Sequence, residues 1–287
     1  SVPFWAKKLD GLWNIGEDAA RDRLTRFLES TLSTYAEDRD IPGTDGTSRL
    51  SPHLRFGEIS ARQAWYATLA FMDEHHSARA SGEKFLSELI WRDFNYHQLY
   101  HRRDISRYDM RDTLSGIGWR DDPFAFKAWR RGQTGFPIID AGMRQLWATG
   151  WMHNRVRMLV ASFLSKNLLI DWRKGEEWFW DTLVDGDVAS NPGSWQWVAG
   201  CGMDAAPYFR VFNPILQGEK FDAYGRYVRH WVPELSNLPG KWLHKPFEAP
   251  KEVLSSAGVI LGSTYPKPII DLQASQREAR KRLNNED

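Results

Sequence analysis

The stretch Asp185–Asn213, DGDVASNPGSWQWVAGCGMDAAPYFRVFN, is the part around which the rest of the chain is organised. It brings two aspartates, an asparagine, a tryptophan pair and a polar-aromatic run into one interval that neither helical nor strand periodicity explains. Such a segment usually lines a site. A second cluster, GWMHNRVRM at Gly150–Met158, places Trp, Asn, two Arg and Met at the expected start of a helix. We expect both clusters to face one cofactor.

The composition is that of a folded protein. Of the 287 residues, 42% are hydrophobic and 26% are charged, which disfavours disorder. The length accommodates one large core or two modest ones. Packing between helices accounts for most of the 15 tryptophans. For the others, the alternative is a site that uses flat, polarisable rings for stacking or electron transfer.

The single cysteine, Cys201, excludes an internal disulfide and a cysteine-cluster metal site, and it favours a reducing compartment. The first 13 residues lack a basic segment followed by an apolar one, and no apolar run of about 18 residues occurs. We therefore expect a cytoplasmic protein with no metal and no membrane partner.

The net charge of +1 conceals a basic middle third. Residues 1–91 carry 11 basic and 14 acidic side chains, whereas residues 92–157 carry 12 basic and 7 acidic ones, a local charge of +5. This excess is compatible with a phosphate-rich partner. It is equally compatible with a solvated helical surface, which charge alone favours.

Periodic apolar residues, caps and turn residues predict a predominantly α architecture, since no alternating β pattern and no internal repeat occurs. The predicted helices span Glu17–Glu37, Ser60–His75, Gly82–His101, Pro123–Arg131, Ile138–Ala148, Asn154–Leu169, Glu176–Val184 and Pro214–Ala223. Arg102–Trp119 is predicted to be irregular. Val232–Pro250 and Gln273–Asp287 are predicted to be peripheral, with loose ends.

One predicted helix carries functional groups along a single stripe. Glu88, Trp91, Arg92 and Asn95 fall at positions i, i+3, i+4 and i+7. Such a stripe normally meets water. Because a large aromatic side chain, Trp91, lies within it, the stripe indicates a pocket wall.

The loop Asp38–Ser51 has two interpretations. Its hydroxyl and backbone N–H groups, gathered before a helix start, are typical of a phosphate site. Ser51 followed by Pro52 is also an ordinary way to begin a helix, and taken alone the spacing favours that simpler interpretation.

Five motifs follow one another along the chain: DGTSRLSPHLRFGEIS (45–60), ELIWRDF (88–94), TGWMHNRVRM (149–158), DWRKGE (171–176) and GSWQWVAG with DAAPYFRVFNP (193–214). Together they resemble the motifs of DNA photolyases and their cryptochrome relatives. The resemblance extends from about Glu17 to Asp271. Five separated motifs in one order make a chance match improbable.

The resemblance implies an all-α, photolyase-type helical FAD-binding domain over residues 17–271, after a linker segment at 1–16 and before a polar tail at 272–287. Full-length family members begin with an α/β antenna domain. This chain begins after the corresponding point, so the resemblance implies a chain lacking that domain, and no antenna chromophore is expected in it.

The resemblance also implies which residues contact FAD. Arg92 would hold the diphosphate, Arg157 and Asp185 would pair beside the isoalloxazine, and Asn191 would face its N5 atom. Phe85 stands where relatives often have Trp. The full set is Tyr35, Thr47, Ser48, Arg49, Leu50, Ser51, Phe85, Glu88, Arg92, Trp151, Asn154, Arg157, Asp185, Gly186, Asp187 and Asn191.

The implied activity is light-driven repair of cyclobutane pyrimidine dimers in DNA, in which excited reduced FAD donates an electron to the lesion. The lesion would leave the base stack to reach the site. Its implied contacts are Glu88, Trp91, Asn154, Met158 and Trp197, and the implied DNA contacts are Glu88, Trp91, Asn95, Asn154, Arg155 and Gln217. The protein is expected to act as a monomer on damaged DNA.

Three tryptophans match the family's electron-transfer chain. Trp195 would lie nearest the flavin, Trp172 in the middle and Trp119 at the surface. Each residue taken alone is typical of core packing, and only the motif context indicates electron transfer.

Three alternatives remain open. A (6-4) photolyase would carry His at the positions of Asn154 and Met158, and both are absent here. A cryptochrome would bind FAD and signal without repair, although its N5 residue is often replaced and Asn191 is retained. A non-catalytic helical nucleic-acid binder fits the charge distribution but leaves the Asp, Asn and Trp constellation unexplained.

Overall fold

The computed structural model of the protein describes residues 4–206 and 210–283. Within these ranges the chain forms no β-strand, only an isolated bridge between Leu261 and Tyr265, so the all-α prediction is confirmed. The helices are α1 Glu17–Ser30, α2 Tyr35–Asp38, α3 Ser51–Phe56, α4 Ala61–Glu74, α5 Arg79–His101, α6 Pro123–Arg130, α7 Pro137–Thr149, α8 Asn154–Ser162, α9 Trp172–Thr182, α10 Ser190–Ala199, α11 Pro214–Phe221, α12 Arg226–Trp231, α13 Gly240–Leu243, α14 Lys251–Ser256 and α15 Leu272–Leu283.

The helix ends follow local chemistry. Ser60 begins α4 with a capping box, in which its side chain accepts from the Gln63 N–H and the Gln63 side chain accepts from the Ser60 N–H. Gly150 ends α7 with a φ of 69°, a left-handed conformation that glycine adopts without strain. That turn directs the next three residues, 151–153, towards the interior, where all three are buried.

The predicted helix Glu17–Glu37 is wrong as a single element. It breaks at Thr31, and a 3-10 turn at Leu32–Thr34 separates α1 from α2. Hydroxyl groups compete with the helical pattern here, since Ser30 donates to the Arg26 carbonyl and Thr34 to the Thr31 carbonyl. The break starts α2 at Tyr35, whose side chain lines the cavity described below.

The organising stretch also contains an element that periodicity did not reveal. Helix α10 lies within it, and seven of its ten residues are buried on several faces. A helix covered on most sides has no polar face, which explains why the sequence shows no helical alternation. Residues 207–209 of the same stretch, and their part of the matching motif, lie outside the described residues.

The described chain packs around two hydrophobic cores. One is formed by the α1–α5 region, with Leu24, Phe27 and Met72 among its buried residues. The larger one contains Trp129 and Phe163 and draws on most elements from α6 onwards. Side chains from both cores line the same cavity, so the cavity lies where the cores meet.

Two segments predicted to be peripheral are part of the packed structure. In 232–250, Leu235, Leu238 and Leu243 are at most 1% exposed and belong to the larger core. In 272–283, α15 packs against a π-helical turn at Phe163–Asn167, and the Asn167 amide donates to the Ser275 hydroxyl at 3.0 Å. In 232–250 the leucines stand singly among prolines and charged residues, so they give no periodic signal, which explains why the segment was predicted to be peripheral. Residues 284–287 lie outside the described ranges.

None of the helices in the described ranges combines the length and the apolar composition that crossing a membrane requires.

Candidate active site

A cavity of about 570 Å³ gathers most of the residues predicted to form the site. Its size is within the roughly 300–1,000 Å³ range of cofactor pockets. The loop 47–51, α5, the start of α8, the turn 185–187 and α10 all contribute to its wall. The predicted residues in that wall are Tyr35, Thr47, Ser48, Arg49, Leu50, Ser51, Phe85, Glu88, Trp91, Arg92, Asn95, Trp151, Asn154, Arg157, Met158, Asp185, Gly186, Asp187, Asn191, Trp195 and Trp197.

A bidentate ion pair fixes one wall of the cavity. The Arg157 guanidinium donates to the two Asp185 carboxylate oxygens at 3.1 and 2.7 Å, and its Nε donates to the Met152 carbonyl at 2.7 Å. The Asp185 side chain is only 2% exposed. A buried carboxylate requires such a partner, so the pair is needed for the wall to keep its shape.

The Asp187 carboxylate, two residues after Asp185, accepts three hydrogen bonds. It accepts from the Tyr96 hydroxyl at 2.6 Å and from the N–H groups of Ala189 and Ser190 at 2.9 and 2.7 Å. Burial alone would raise the pKa of Asp187, but these hydrogen bonds lower it below the ordinary value. Asp187 therefore stays ionised and anchors the start of α10.

The Asn191 amide is oriented from behind the cavity by Glu176. Its Nδ2 donates to the Glu176 Oε1 at 2.9 Å and to the Glu176 carbonyl at 3.1 Å. With both amide protons used in this way, the Asn191 Oδ1 remains as the acceptor offered to the cavity. Burial raises the pKa of the Glu176 carboxyl to about 7.

This raised pKa gives a pH-dependent stability. The folded state holds the Glu176 proton up to about pH 7, whereas the unfolded chain releases it near the ordinary pKa of 4.5. The free energy of unfolding should therefore fall as pH rises from about 4.5 to about 7. Glu176→Gln should flatten this decline when melting temperature is measured across that window. An equal decline in both proteins would contradict the assignment.

Glu88 is held by two cations at the cavity wall. It forms a hydrogen-bonded ion pair with Arg39, and the Lys84 ammonium lies 3.5 Å from the same carboxylate oxygen. The Arg39 guanidinium also lies 5.5 Å from the Tyr35 ring centroid. Glu88 is thus positioned before any ligand arrives, with 31% of its side chain exposed.

The loop 47–51 approaches the cavity in a constrained conformation. Arg49 has a φ of 50°, which is uncommon for a residue with a side chain. Its guanidinium lies 5.0 Å from the Trp151 ring centroid, and the Trp151 Nε1 donates to the Ser51 hydroxyl at 3.4 Å. The loop is therefore tied to the start of the motif that contains Asn154.

Two predicted DNA contacts lie outside this cavity wall. Arg155 pairs with Asp40 at 2.7 Å, and its guanidinium lies 4.4 Å from the Phe221 ring centroid. Gln217 is one turn before Phe221 on α11. The two residues therefore belong to one neighbouring surface.

The three tryptophans predicted to form an electron-transfer chain differ in exposure. Trp195 lines the cavity and is 2% exposed, Trp172 is fully buried, and Trp119 is partly buried against the same core. The Arg120 N–H donates to the Leu169 carbonyl at 2.7 Å, which places the Trp119 segment beside the turn leading into α9. Trp195 and Trp172 are therefore both buried, and Trp119 is the one of the three that is partly exposed.

Sequence reasoning missed several residues that shape the site. Arg39, Arg55 and Tyr96 contact the predicted residues, and Glu176 orients Asn191. Glu176 ends the matched motif DWRKGE, and this was the available signal. Among residues 4–206 and 210–283, no group of three or more His, Cys, Asp or Glu side chains is arranged to hold a metal.

Comparisons with known proteins agree with this geometry. A family model described as the FAD binding domain of DNA photolyase matches residues 85–285. A deoxyribodipyrimidine photo-lyase of Agrobacterium fabrum is 56% identical over 94% of the chain, and that of Escherichia coli is 46% identical over 93%. The chain spans 56% and 54% of those two proteins.

Solved structures are similar as well. The crystal structure of a bacterial class III photolyase from Agrobacterium tumefaciens is 54% identical, with a TM-score of 0.95 over 99% of this chain and 59% of that one. A Synechocystis cryptochrome is 39% identical, with a TM-score of 0.89 over 94% of this chain and 56% of that one. The matched family model, together with the shared helical fold, shows that the chain belongs to the DNA photolyase family and carries its FAD-binding domain.

Proposed function

We propose that the protein repairs cyclobutane pyrimidine dimers in DNA, using light and an electron from reduced FAD. The observation that carries this proposal is that Glu88, Asn154, Asn191 and Trp197 surround one cavity. Relatives named deoxyribodipyrimidine photo-lyase support the same substrate. We further propose that the chain acts as a monomer in the cytoplasm and holds no antenna chromophore.

The cavity residues fit FAD chemically. The Arg49 Nε is buried without a hydrogen-bond partner among the described residues, and an anionic ligand in the adjoining cavity would supply an acceptor. Arg92 and the polar loop 47–51 would hold the diphosphate. The free Asn191 Oδ1 would accept a hydrogen bond from an N–H group of the flavin ring. When bound, reduced and light-excited FAD supplies the electron for repair.

The lesion would occupy the part of the cavity bordered by Trp91 and Trp197. Their rings offer flat apolar surfaces for an extruded pyrimidine pair, and Met158 supplies a soft apolar contact. Glu88 and Asn154 would hydrogen-bond to the polar base edges. A dimer that pairs poorly in the duplex lowers the cost of extrusion, which favours damaged over intact DNA.

DNA outside the lesion would contact the neighbouring surface that contains Arg155 and Gln217. The basic interval 92–157 supports this orientation, since it carries a local charge of +5. Binding through phosphates releases counterions, so DNA affinity should decrease with salt.

Illumination of the purified, FAD-loaded chain with oligonucleotides tests the proposal directly. The chain would be reduced chemically and illuminated with DNA carrying either a cyclobutane dimer or a (6-4) photoproduct. Loss of the cyclobutane dimer is the expected result. Loss of only the (6-4) product selects the (6-4) alternative. A stoichiometric second chromophore in the visible spectrum would contradict the absence of an antenna.

A light-sensing role without repair is the second candidate, because one similar structure is a cryptochrome. Bound flavin with neither repair activity would select it. The retained lesion contacts around the cavity favour repair.

Replacing Glu88 by alanine should lower dimer repair while FAD remains bound. Loss of a hydrogen bond to a charged group costs about 1.5 kcal/mol or more, so the repair yield should fall roughly tenfold. The measurement is dimer loss per absorbed photon, with the flavin spectrum recorded in parallel. Glu83→Ala, an exposed change on the same helix, is the matched control. If flavin is lost in Glu88→Ala, the residue acts on cofactor retention instead.

A further inference from the structure

A carboxylate contacts the middle tryptophan of the proposed electron chain. Asp109, in the irregular segment between α5 and α6, accepts from the Trp172 Nε1 at 3.0 Å. It also accepts from the Arg173 Nη2 at 2.7 Å. Trp172 is fully buried, whereas the Asp109 side chain is 16% exposed. The carboxylate thus links a buried indole to the protein surface.

The inner tryptophan has a different environment. The Trp195 Nε1 is buried and has no hydrogen-bond partner within residues 4–206 and 210–283. An indole that has lost an electron carries a positive charge, and its N–H proton becomes strongly acidic. A hydrogen-bonded carboxylate stabilises that charged form, and an indole without an acceptor receives no such help. This difference in hydrogen bonding favours oxidation of Trp172 over oxidation of Trp195.

The surrounding charges preserve this preference. The Arg173 guanidinium lies 4.7 Å from the Trp172 ring centroid, which by itself would oppose a positive charge on the ring. The same guanidinium is paired with both Asp109 and Asp171, at 2.7 and 3.1 Å. Two carboxylates and one guanidinium give this cluster a net charge of −1. The cluster therefore favours an oxidised Trp172.

Asp109 also opens towards solvent. It lines a surface pocket of about 470 Å³ together with Arg102, Asp104, Tyr108, Asp112 and Arg173. On its inner side lies the thiol of Cys201, whose pKa is raised by burial and by Asp109. Water in the surface pocket can therefore solvate the carboxylate while the indole stays dry.

We propose that Asp109 is a positioning residue for electron transfer. It stabilises the oxidised form of Trp172 relative to the oxidised form of Trp195. This inference rests on the proposed function, since it assumes the chain Trp195, Trp172, Trp119. Trp195 would first give one electron to light-excited oxidised FAD in the cavity. Trp172 then gives one electron to oxidised Trp195, and the Trp172 Nε1 proton shifts towards the Asp109 carboxylate. When Trp119 gives an electron to Trp172, that proton returns to the indole. A thiol reductant in solution then restores Trp119.

The test compares Asp109→Asn with Asp112→Asn in the FAD-loaded chain. Both residues line the same surface pocket, but only Asp109 accepts from Trp172. Light-driven reduction of oxidised FAD with a thiol present should fall about tenfold in Asp109→Asn, the scale of one charged hydrogen bond, and should be unchanged in Asp112→Asn. Trp172→Phe defines complete loss of the chain.

A second measurement reports on the hydrogen bond itself in the dark. In ¹H–¹⁵N spectra of tryptophan-labelled protein, the Trp172 indole proton should move upfield in Asp109→Asn and stay in place in Asp112→Asn. Equal photoreduction in Asp109→Asn and the unmodified chain, with loss in Trp172→Phe, would overturn the role of Asp109 alone. Full photoreduction in Trp172→Phe would overturn the tryptophan chain and this inference with it.

Discussion

Replacing Arg157 by alanine is expected to lower the free energy of unfolding by about 3–5 kcal/mol and to release FAD, because a buried charge loses its partner. The substitution leaves the Asp185 carboxylate, which is 2% exposed, without its bidentate ion pair. It also removes the donor to the Met152 carbonyl. Denaturant unfolding gives the free energy, and the visible spectrum after gel filtration gives the retained flavin.

The matched control is an arginine whose partners are exposed. Arg21 pairs with Glu17 and Asp18, whose side chains are 70% and 96% exposed. Arg21→Ala should cost less than about 1 kcal/mol, as surface ion pairs do, and should retain FAD. Comparable losses in the two variants would show that burial of Asp185 does not set the cost.

Asp140→Asn is expected to destabilise the fold by about 3 kcal/mol without acting on the cavity. The buried Asp140 carboxylate accepts from the Thr134 N–H and hydroxyl at 2.6 and 2.7 Å, from the Gly135 N–H at 3.0 Å and from the Tyr265 hydroxyl at 2.7 Å. An amide of the same shape turns an N–H₂ group towards two of these donors. Thermal and denaturant unfolding measure the loss.

Tyr265→Phe provides the graded comparison for this cluster. It removes one of the four donors and should cost about 1 kcal/mol. Because Asp140 is absent from the cavity wall, the FAD spectrum of folded Asp140→Asn should match that of the unmodified chain. An Asp140→Asn variant no less stable than Tyr265→Phe would show that the donors find other partners.

The sequence predicted the helical architecture because most helices have a local signal. The capping box at Ser60 and the glycine at 150 define boundaries from a few residues. The break at Thr31 depends on hydroxyl groups competing for backbone carbonyls, which periodicity does not register. The burial of Leu235 and Leu238 depends on which surface lies above them, and no local pattern carries that information.

The residues of the candidate site were likewise only partly predictable from local sequence. Motif resemblance named many of the residues that line the cavity, because the motifs at 45–60, 88–94 and 149–158 carry several of them together. It missed partners that meet only in three dimensions: Arg39 lies 49 residues from Glu88, and Asp109 lies 63 residues from Trp172. A charged residue in an irregular segment resembles any solvated surface residue until its partner is known.

Because the cavity lies between two hydrophobic cores, substitutions deep within a core and substitutions where the cores meet have different effects on the site. Each core can exchange one apolar side chain for another of similar volume while its own packing is preserved. The width of the cleft depends on the surface where the cores meet, so such exchanges deep within either core leave it intact. Sequences can therefore drift widely in their interiors and still present the same opening to a ligand.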